Sequence, residues 1–260
     1  DIMQSQYFLG KIDFLRAKSL FAKELKAIKP NVDNNCQMEW SRAFHPLLFL
    51  SLKKQNREVV PLDIVLNENQ RILIISGPNA GGKSVCLKTV AILQYMLQCG
   101  MLIPVHENSR CGIFQQLFID IGDEQSIEND LSTYSSHLLN MKFFIKNSNH
   151  KTLILIDEFG SGTEPQIGGA IAEATLERLN RNKTFGVITT HYTNLKHYAE
   201  ATQGIVNGAM LYDRQHLQPL FQLSIGNPGS SFAVEIARKI GLPEDLIADA
   251  TEKVGAEHMD

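Results

Sequence analysis

The sequence is poor in the features that would mark it as secreted, membrane-bound or metal-clustered. Its four cysteines, Cys36, Cys86, Cys99 and Cys111, are widely spaced and form no C-x-x-C pair. A zinc site is not expected, and free thiols in a reducing cytosol are. The eight histidines show no ligand spacing, so no transition metal is expected. No apolar run reaches the roughly 18 residues that span a bilayer, and no signal peptide is visible. There is no internal repeat and no low-complexity tract. A formal net charge of −3 over 260 residues argues against a strongly basic, nucleic-acid-coating protein and leaves room for a local basic patch. The composition that remains, 43% hydrophobic and 20% charged, is that of an ordinary globular chain. The first residue is Asp1 rather than Met, which suggests a piece of a longer protein.

Hydrophobic spacing divides what is present. Phe14, Leu15, Leu20, Phe21, Leu25 and Ile28 recur at helical intervals, so a helix is expected over 11–29, stopped by Pro30. Residues 1–30 hold six Lys/Arg and three Asp/Glu. A solvated helix face and a DNA-facing arm both fit that excess. The polar stretch NVDNNCQ (31–37) suggests a boundary, with a helical stub at 1–36 and a main domain at 37–260. Strands are expected at 59–66, 71–75, 110–121, 152–157, 184–189 and 204–212. Helices are expected at 83–98, 133–147, 166–181, 194–199, 231–240 and 243–254. Such alternation implies an α/β domain whose central sheet is mixed but largely parallel, flanked by helices.

The segment SGPNAGGKSV (76–85) follows the apolar run Ile72–Ile75 and precedes an amphipathic helix. It fits G-x-x-x-x-G-K-[ST] in the required strand–loop–helix setting. Gly77, Pro78, Asn79, Ala80, Gly81, Gly82, Lys83, Ser84 and Val85 are the expected nucleotide-binding residues. Bare backbone N–H groups can wrap a triphosphate, and a helix start adds positive potential. Lys83 would reach the β- and γ-phosphates, and Ser84 would ligate Mg²⁺. The alternative is a glycine-rich turn with no ligand.

TLILIDE (152–158) ends a buried strand in two acids. Asp157 is the expected Mg²⁺ holder, through water, and Glu158 the general base that polarises an attacking water. Alone, the pair could merely end a strand in solvent. TTH (189–191) follows the strand TFGVIT, and His191 is expected on the γ-phosphate side.

Together these motifs resemble the ATP-binding-cassette superfamily and, within it, the MutS family. GPNAGGKS, IDEFGSGTEP and RAFHPLL ahead of VVPLDIVL carry that resemblance, which runs from about residue 10 to residue 254. IGDEQSIENDLSTYSSHLLNM (121–141), TTHYTNLKHYA (189–199) and SIGNPGSSFAVEIARKIGLPEDLI (224–247) are more similar to the MutS-two branch than to mismatch-recognising MutS. The resemblance implies a P-loop NTPase fold of the cassette type, ATP and Mg²⁺ as ligands, and a cytoplasmic homodimer with ATP at its interface. It implies DNA or ribosome as partners of the full protein and no membrane. It also implies that Asn79 faces the γ-phosphate and that Glu158 is the catalytic acid and His191 the switch. Ser132 and Thr133 would reach the partner's nucleotide, and Thr163 would lie on the D-loop. Ser132 could equally cap the helix at 133–147. Adenine contacts are expected around Val59, Val60 and Pro61. The segment lacks a mismatch-reading domain and a nuclease-like domain and keeps only a stub of the lever helices. Three other readings stay open. They are a mismatch-repair MutS head, an ATP-binding dimerisation module with negligible turnover, and a transporter subunit, against which LSTYSS speaks where L-S-G-G-Q would stand.

Overall fold

The computed structural model describes residues 2–78, 81–122, 133–213, 216, 218–229 and 233–254. By contacts the chain forms two compact units, one of residues 1–65 and 88–113, the other of residues 66–87 and 114–260. The segment 1–36, read from the sequence as a separate stub, falls within the first unit. Among the described residues no helix is long and apolar enough to cross a membrane.

The first unit opens with α1 (Ile2–Glu24), longer at its start than expected and shorter at its end. Lys26 adopts φ 52°, and the N–H of Ala27 reaches back to the carbonyl of Ala22, which closes the helix before Pro30. Leu25 is fully buried, whereas Phe14, Leu15 and Leu20 of the same expected apolar face are exposed. The four-stranded sheet has the order β1-β5-β2-β3, with β1 (Asn31–Asp33), β2 (Met38–Ala43), β3 (Leu62–Leu66) and β5 (Arg110–Gly112). The connector at 31–37 thus contains a strand, paired in parallel with β5. Met38, Trp40 and Ala43 of β2 are buried, as are Leu25, Ile64 and Ile103 of the same unit. Arg42 breaks the alternation at φ 51°, and the Asp63 carboxylate accepts its N–H at 2.7 Å. The short helix α2 (Pro46–Lys54), unforeseen from the sequence, starts at Pro46 with the His45 ring accepting the N–H of Leu48.

The second unit is built on a six-stranded sheet of order β10-β9-β4-β8-β7-β6. Its members are β4 (Gln70–Ser76), β6 (Gln116–Asp120), β7 (Thr152–Ile156), β8 (Phe185–Thr189), β9 (Gly204–Asp213) and β10 (Gln218–Ile225). Every pairing is parallel except β10 with β9. The expected strand 110–121 is two strands, β5 and β6, in different sheets. The break falls at 113–115, where the N–H of Gln115 turns aside to the carbonyl of Lys151.

Strands β4, β7 and β8 are buried on both faces, which is why they read as unbroken apolar runs. Ile72 and Ile74 face a cluster that includes Ile154, Ile156 and Ile188. Leu73 and Ile75, equally buried, point to the opposite face. The cluster is closed by Met141 and Phe144 of α4 (Thr133–Asn147), Leu176 and Leu179 of α5 (Pro165–Arg181), and Leu195 of α6 (Thr193–Ala201). The remaining helices are α3 (Lys83–Gln98), α7 (Ala233–Lys239) and α8 (Glu244–Val254).

Ile154 is fully buried at the centre of this cluster. Ile154→Ala should lower unfolding free energy by about 2–5 kcal/mol, read as a fall in denaturation midpoint at constant slope. A loss below about 1 kcal/mol would show that the cluster is not the core that holds the sheet.

Candidate functional site

Strand β8 pairs in parallel with β4 on one side and β7 on the other, with Ile75 opposite Thr189 and Ile156 opposite Ile188. Three chain segments therefore leave the sheet side by side at one edge: the loop after Ser76, the acids Asp157 and Glu158, and the segment Thr190–His191. In open α/β sheets this carboxyl edge is where ligands collect.

The loop turns on glycine. Gly77 and Gly82 hold φ of 133° and 96°, and a Cβ at Gly82 would lie 3.2 Å from the Phe221 ring. The N–H of Gly81 closes a turn onto the Pro78 carbonyl at 3.0 Å. Lys83 opens α3 but folds its side chain back, and its ammonium donates to the carbonyls of Gly77 (2.8 Å) and Pro78 (3.1 Å). The side chain is only 3% exposed. Burial pulls its pKa down to about 8, against the opposing pull of the Glu158 and Asp157 charges, with Lys196 pushing the same way as burial. Ser84 is half-buried one residue on, and Val85 is exposed. Asn79 and Ala80 lie outside the described residues.

The two acids are held differently from a simple strand end. The Asp157 N–H donates to the Asp120 carbonyl of β6 at 2.9 Å. Its carboxylate Oδ1 accepts the Thr189 hydroxyl at 2.5 Å. Glu158 sits at φ 49°, a left-handed conformation that costs roughly 1–2 kcal/mol for a side-chain-bearing residue. Its N–H donates to the same Thr189 Oγ1 at 2.8 Å. Phe159 N–H then bonds the Thr189 carbonyl at 2.8 Å. Beyond this turn the Tyr192 hydroxyl donates to the Gly160 carbonyl at 2.8 Å. Thr163 stands over Gly168, beside Gly160 and Tyr192. Glu164 caps α5, accepting from the N–H groups of Gln166 and Ile167, and those bonds lower its pKa.

His191 projects from the end of β8 and is exposed. Its pKa is lowered, first by partial desolvation and then by Lys83 and Lys196, with Asp157 opposing. The ring is thus a neutral donor–acceptor near neutral pH. Thr133 starts α4, but its side chain, like all of Ser132, lies outside the described residues. Val59 and Pro61 line a groove of the first unit with Phe44, Phe49 and Arg57.

Several residues that brace this edge carried no signal in the sequence. Ser76 accepts the N–H of Gly229 at 2.7 Å, a contact across 153 residues. Lys196 donates to the Gly229 carbonyl at 2.9 Å. Phe221, at φ 56° in an irregular stretch of β10, lays its ring against Gly82. Thr189 was visible only as the polar end of an apolar strand.

Chemically, the edge offers a buried ammonium and a turn of unshielded backbone, which suit an anion. Beside them stands the Asp157 carboxylate, whose oxygens are of the kind that hold a hard cation. One Asp157 oxygen is engaged by Thr189, which leaves Oδ2 without a partner among the described residues.

The family model described as MutS domain V matches residues 73–257. The chain is 42% identical to "Endonuclease MutS2" of Enterococcus faecalis over 260 residues, all of this chain and 32% of that protein. It is 43% identical to that of Clostridium kluyveri over 251 residues, 96% of this chain and 31% of the relative. With the protein of the same name from Carboxydothermus hydrogenoformans it shares 41% over 259 residues, all of this chain and 32% of the relative. The chain thus spans about a third of the length of the curated relatives it matches. On the match to domain V the chain belongs to the MutS family, and its relatives put it on the MutS2 branch.

Proposed function

We propose that this chain is the Mg²⁺-dependent ATP-hydrolysing head of a MutS2-like protein, with the P-loop NTPase fold of the cassette type, and that it works as a homodimer. The observation that carries the reading is the convergence of Lys83, Asp157, Glu158 and His191 at the ends of three adjacent parallel strands. Buried lysine, bare loop and acid pair are together the donor set that a polyphosphate with a hard cation requires.

The residues divide the work. Gly77–Val85, Asn79 included, wrap the phosphates, and the ammonium of Lys83 exchanges its bonds to Gly77 and Pro78 carbonyls for phosphate oxygens. Ser84, and Asp157 through water, would hold Mg²⁺, which when bound would neutralise charge on the phosphates. Glu158 accepts a proton from the attacking water. His191, neutral and at the surface, donates toward the γ-phosphate. Phe221, lying on the loop at Gly82, offers a flat apolar face for the base. Ser132 and Thr133 reach the partner's nucleotide, and Thr163 borders the shared site. DNA or the ribosome engages the whole protein through parts outside this third of its length.

Two outcomes test this reading. Lys83 in the free protein has a pKa of about 8, and bound phosphate favours its charged form. ATP affinity should therefore be level below pH about 8 and weaken above it, by up to about tenfold per pH unit, in a binding titration. Affinity constant from roughly pH 7 to 9.5 would mean that Lys83 does not lose its charge over that range, and a Lys83→Ala protein that binds ATP like the parent would mean that Lys83 is not the phosphate partner. In the second, Glu158→Gln should keep ATP binding and lose on the order of 10²- to 10⁴-fold in turnover. It should accumulate as an ATP-loaded dimer by light scattering. Turnover equal to the parent's would remove Glu158 as the base.

A further inference from the structure

Thr189 ends β8 and is wholly buried. Buried threonines commonly return their hydroxyl to a carbonyl on their own segment. This one does not. Its Oγ1 donates to Asp157 Oδ1 at 2.5 Å and accepts from the Glu158 N–H at 2.8 Å, contacts that span 32 and 31 residues. One hydroxyl thereby touches both acids of the site, through the side chain of one and the backbone of the other.

The geometry points to Thr189 as a positioning residue for the hydrolytic step, one that fixes the aim of Asp157 and Glu158 together; this rests on the nucleotide-site reading above. The two bonds do different things. The first occupies Oδ1 of Asp157 and fixes the rotation of the carboxylate, and with it the position of Oδ2. The second holds the Glu158 backbone at φ 49°. Without an acceptor for its N–H, that residue loses a reason to stay left-handed, and relaxing to negative φ swings its carboxylate away. A hydroxyl carries one proton and two lone pairs, so one Oγ1 can serve both contacts at once. The methyl group of Thr189 does neither. Thr190 secures the same turn from the next position, its hydroxyl donating to the Phe159 carbonyl at 3.3 Å and accepting from Tyr192 N–H at 3.1 Å. Neither Thr190 bond reaches an acid, so the alignment of Asp157 and Glu158 falls to Thr189.

The hydroxyl and the methyl make opposite predictions, and two substitutions separate them. Thr189→Val keeps shape and branching and removes the hydroxyl. Thr189→Ser keeps the hydroxyl and removes the methyl. Both are made in the full chain. ATP affinity without metal is measured first, then the Mg²⁺ concentration that half-saturates the ATP complex, then turnover and the thermal midpoint of the free protein. Val should bind metal-free ATP like the parent, need several-fold more Mg²⁺, and turn over roughly 10- to 100-fold more slowly. Ser should stay within about threefold of the parent in both Mg²⁺ requirement and turnover, while melting no higher than Val. If Ser and Val match in turnover and Mg²⁺ requirement, or Val outperforms Ser, Thr189 is only a packing residue. Should Val fail to fold, Ser compared with Thr189→Ala isolates the same hydroxyl, and the same ranking is required. A parent chain that binds ATP neither with nor without Mg²⁺ overturns the nucleotide reading and Thr189's role with it. Normal parent binding with unchanged Val turnover overturns only the role of Thr189.

Discussion

Strand β8 has a neighbour on each side, and both run the same way it does. From that pairing with β4 and β7 everything at the candidate site follows. Parallel strands end together, so the loop after Ser76, the acids after Ile156 and the segment after Thr189 leave the sheet side by side, with the acids hydrogen-bonded to Thr189. The pairing depends in turn on three strands apolar on both faces, because only such strands can sit in the middle of a sheet with side chains packed above and below. The core that stabilises the unit and the alignment that makes the site are one arrangement of residues.

That edge holds groups that work against stability. Lys83 is buried, and desolvation brings its pKa down to about 8. Glu158 is held at φ 49°. Both are sustained by neighbours that give them bonds: carbonyls of Gly77 and Pro78 for the lysine, Thr189 for the glutamate. The loop itself is braced from afar, with Gly229 bonded to Ser76 and Lys196 bonded to Gly229. Strain kept by a surrounding network is common where a chain must meet a ligand in a fixed geometry.

Much of this was legible in the sequence, for identifiable reasons. Ile72–Ile75, Leu153–Ile156 and Phe185–Ile188 read as strands because burial on both faces leaves no polar position. The start of α3 was legible because Gly82-Lys83-Ser84 combines a required left-handed glycine with a helix entry. The elements that escaped are those whose burial is partial or whose pattern is broken. Strand β1 is three residues long and polar, and β10 is largely exposed. The alternation of β2 fails at Arg42, whose backbone turns left-handed toward Asp63. The run 110–121 looked continuous although the chain changes sheets within it. At the site, the residues with chemical character stood out, and the residues that aim them did not. Thr189 and Ser76 act through contacts of 31 to 153 residues in sequence separation. No local pattern records such contacts.

The central claim is that the loop 77–84 with its buried lysine is a polyphosphate site. It is tested most directly by calorimetric titration of Mg-ATP into the full chain and into Lys83→Ala. Charge-assisted bonds to phosphate are worth about 1.5–3 kcal/mol, so the variant should bind at least about tenfold more weakly than the parent while keeping its melting temperature. Equal affinity in the two proteins would contradict the account.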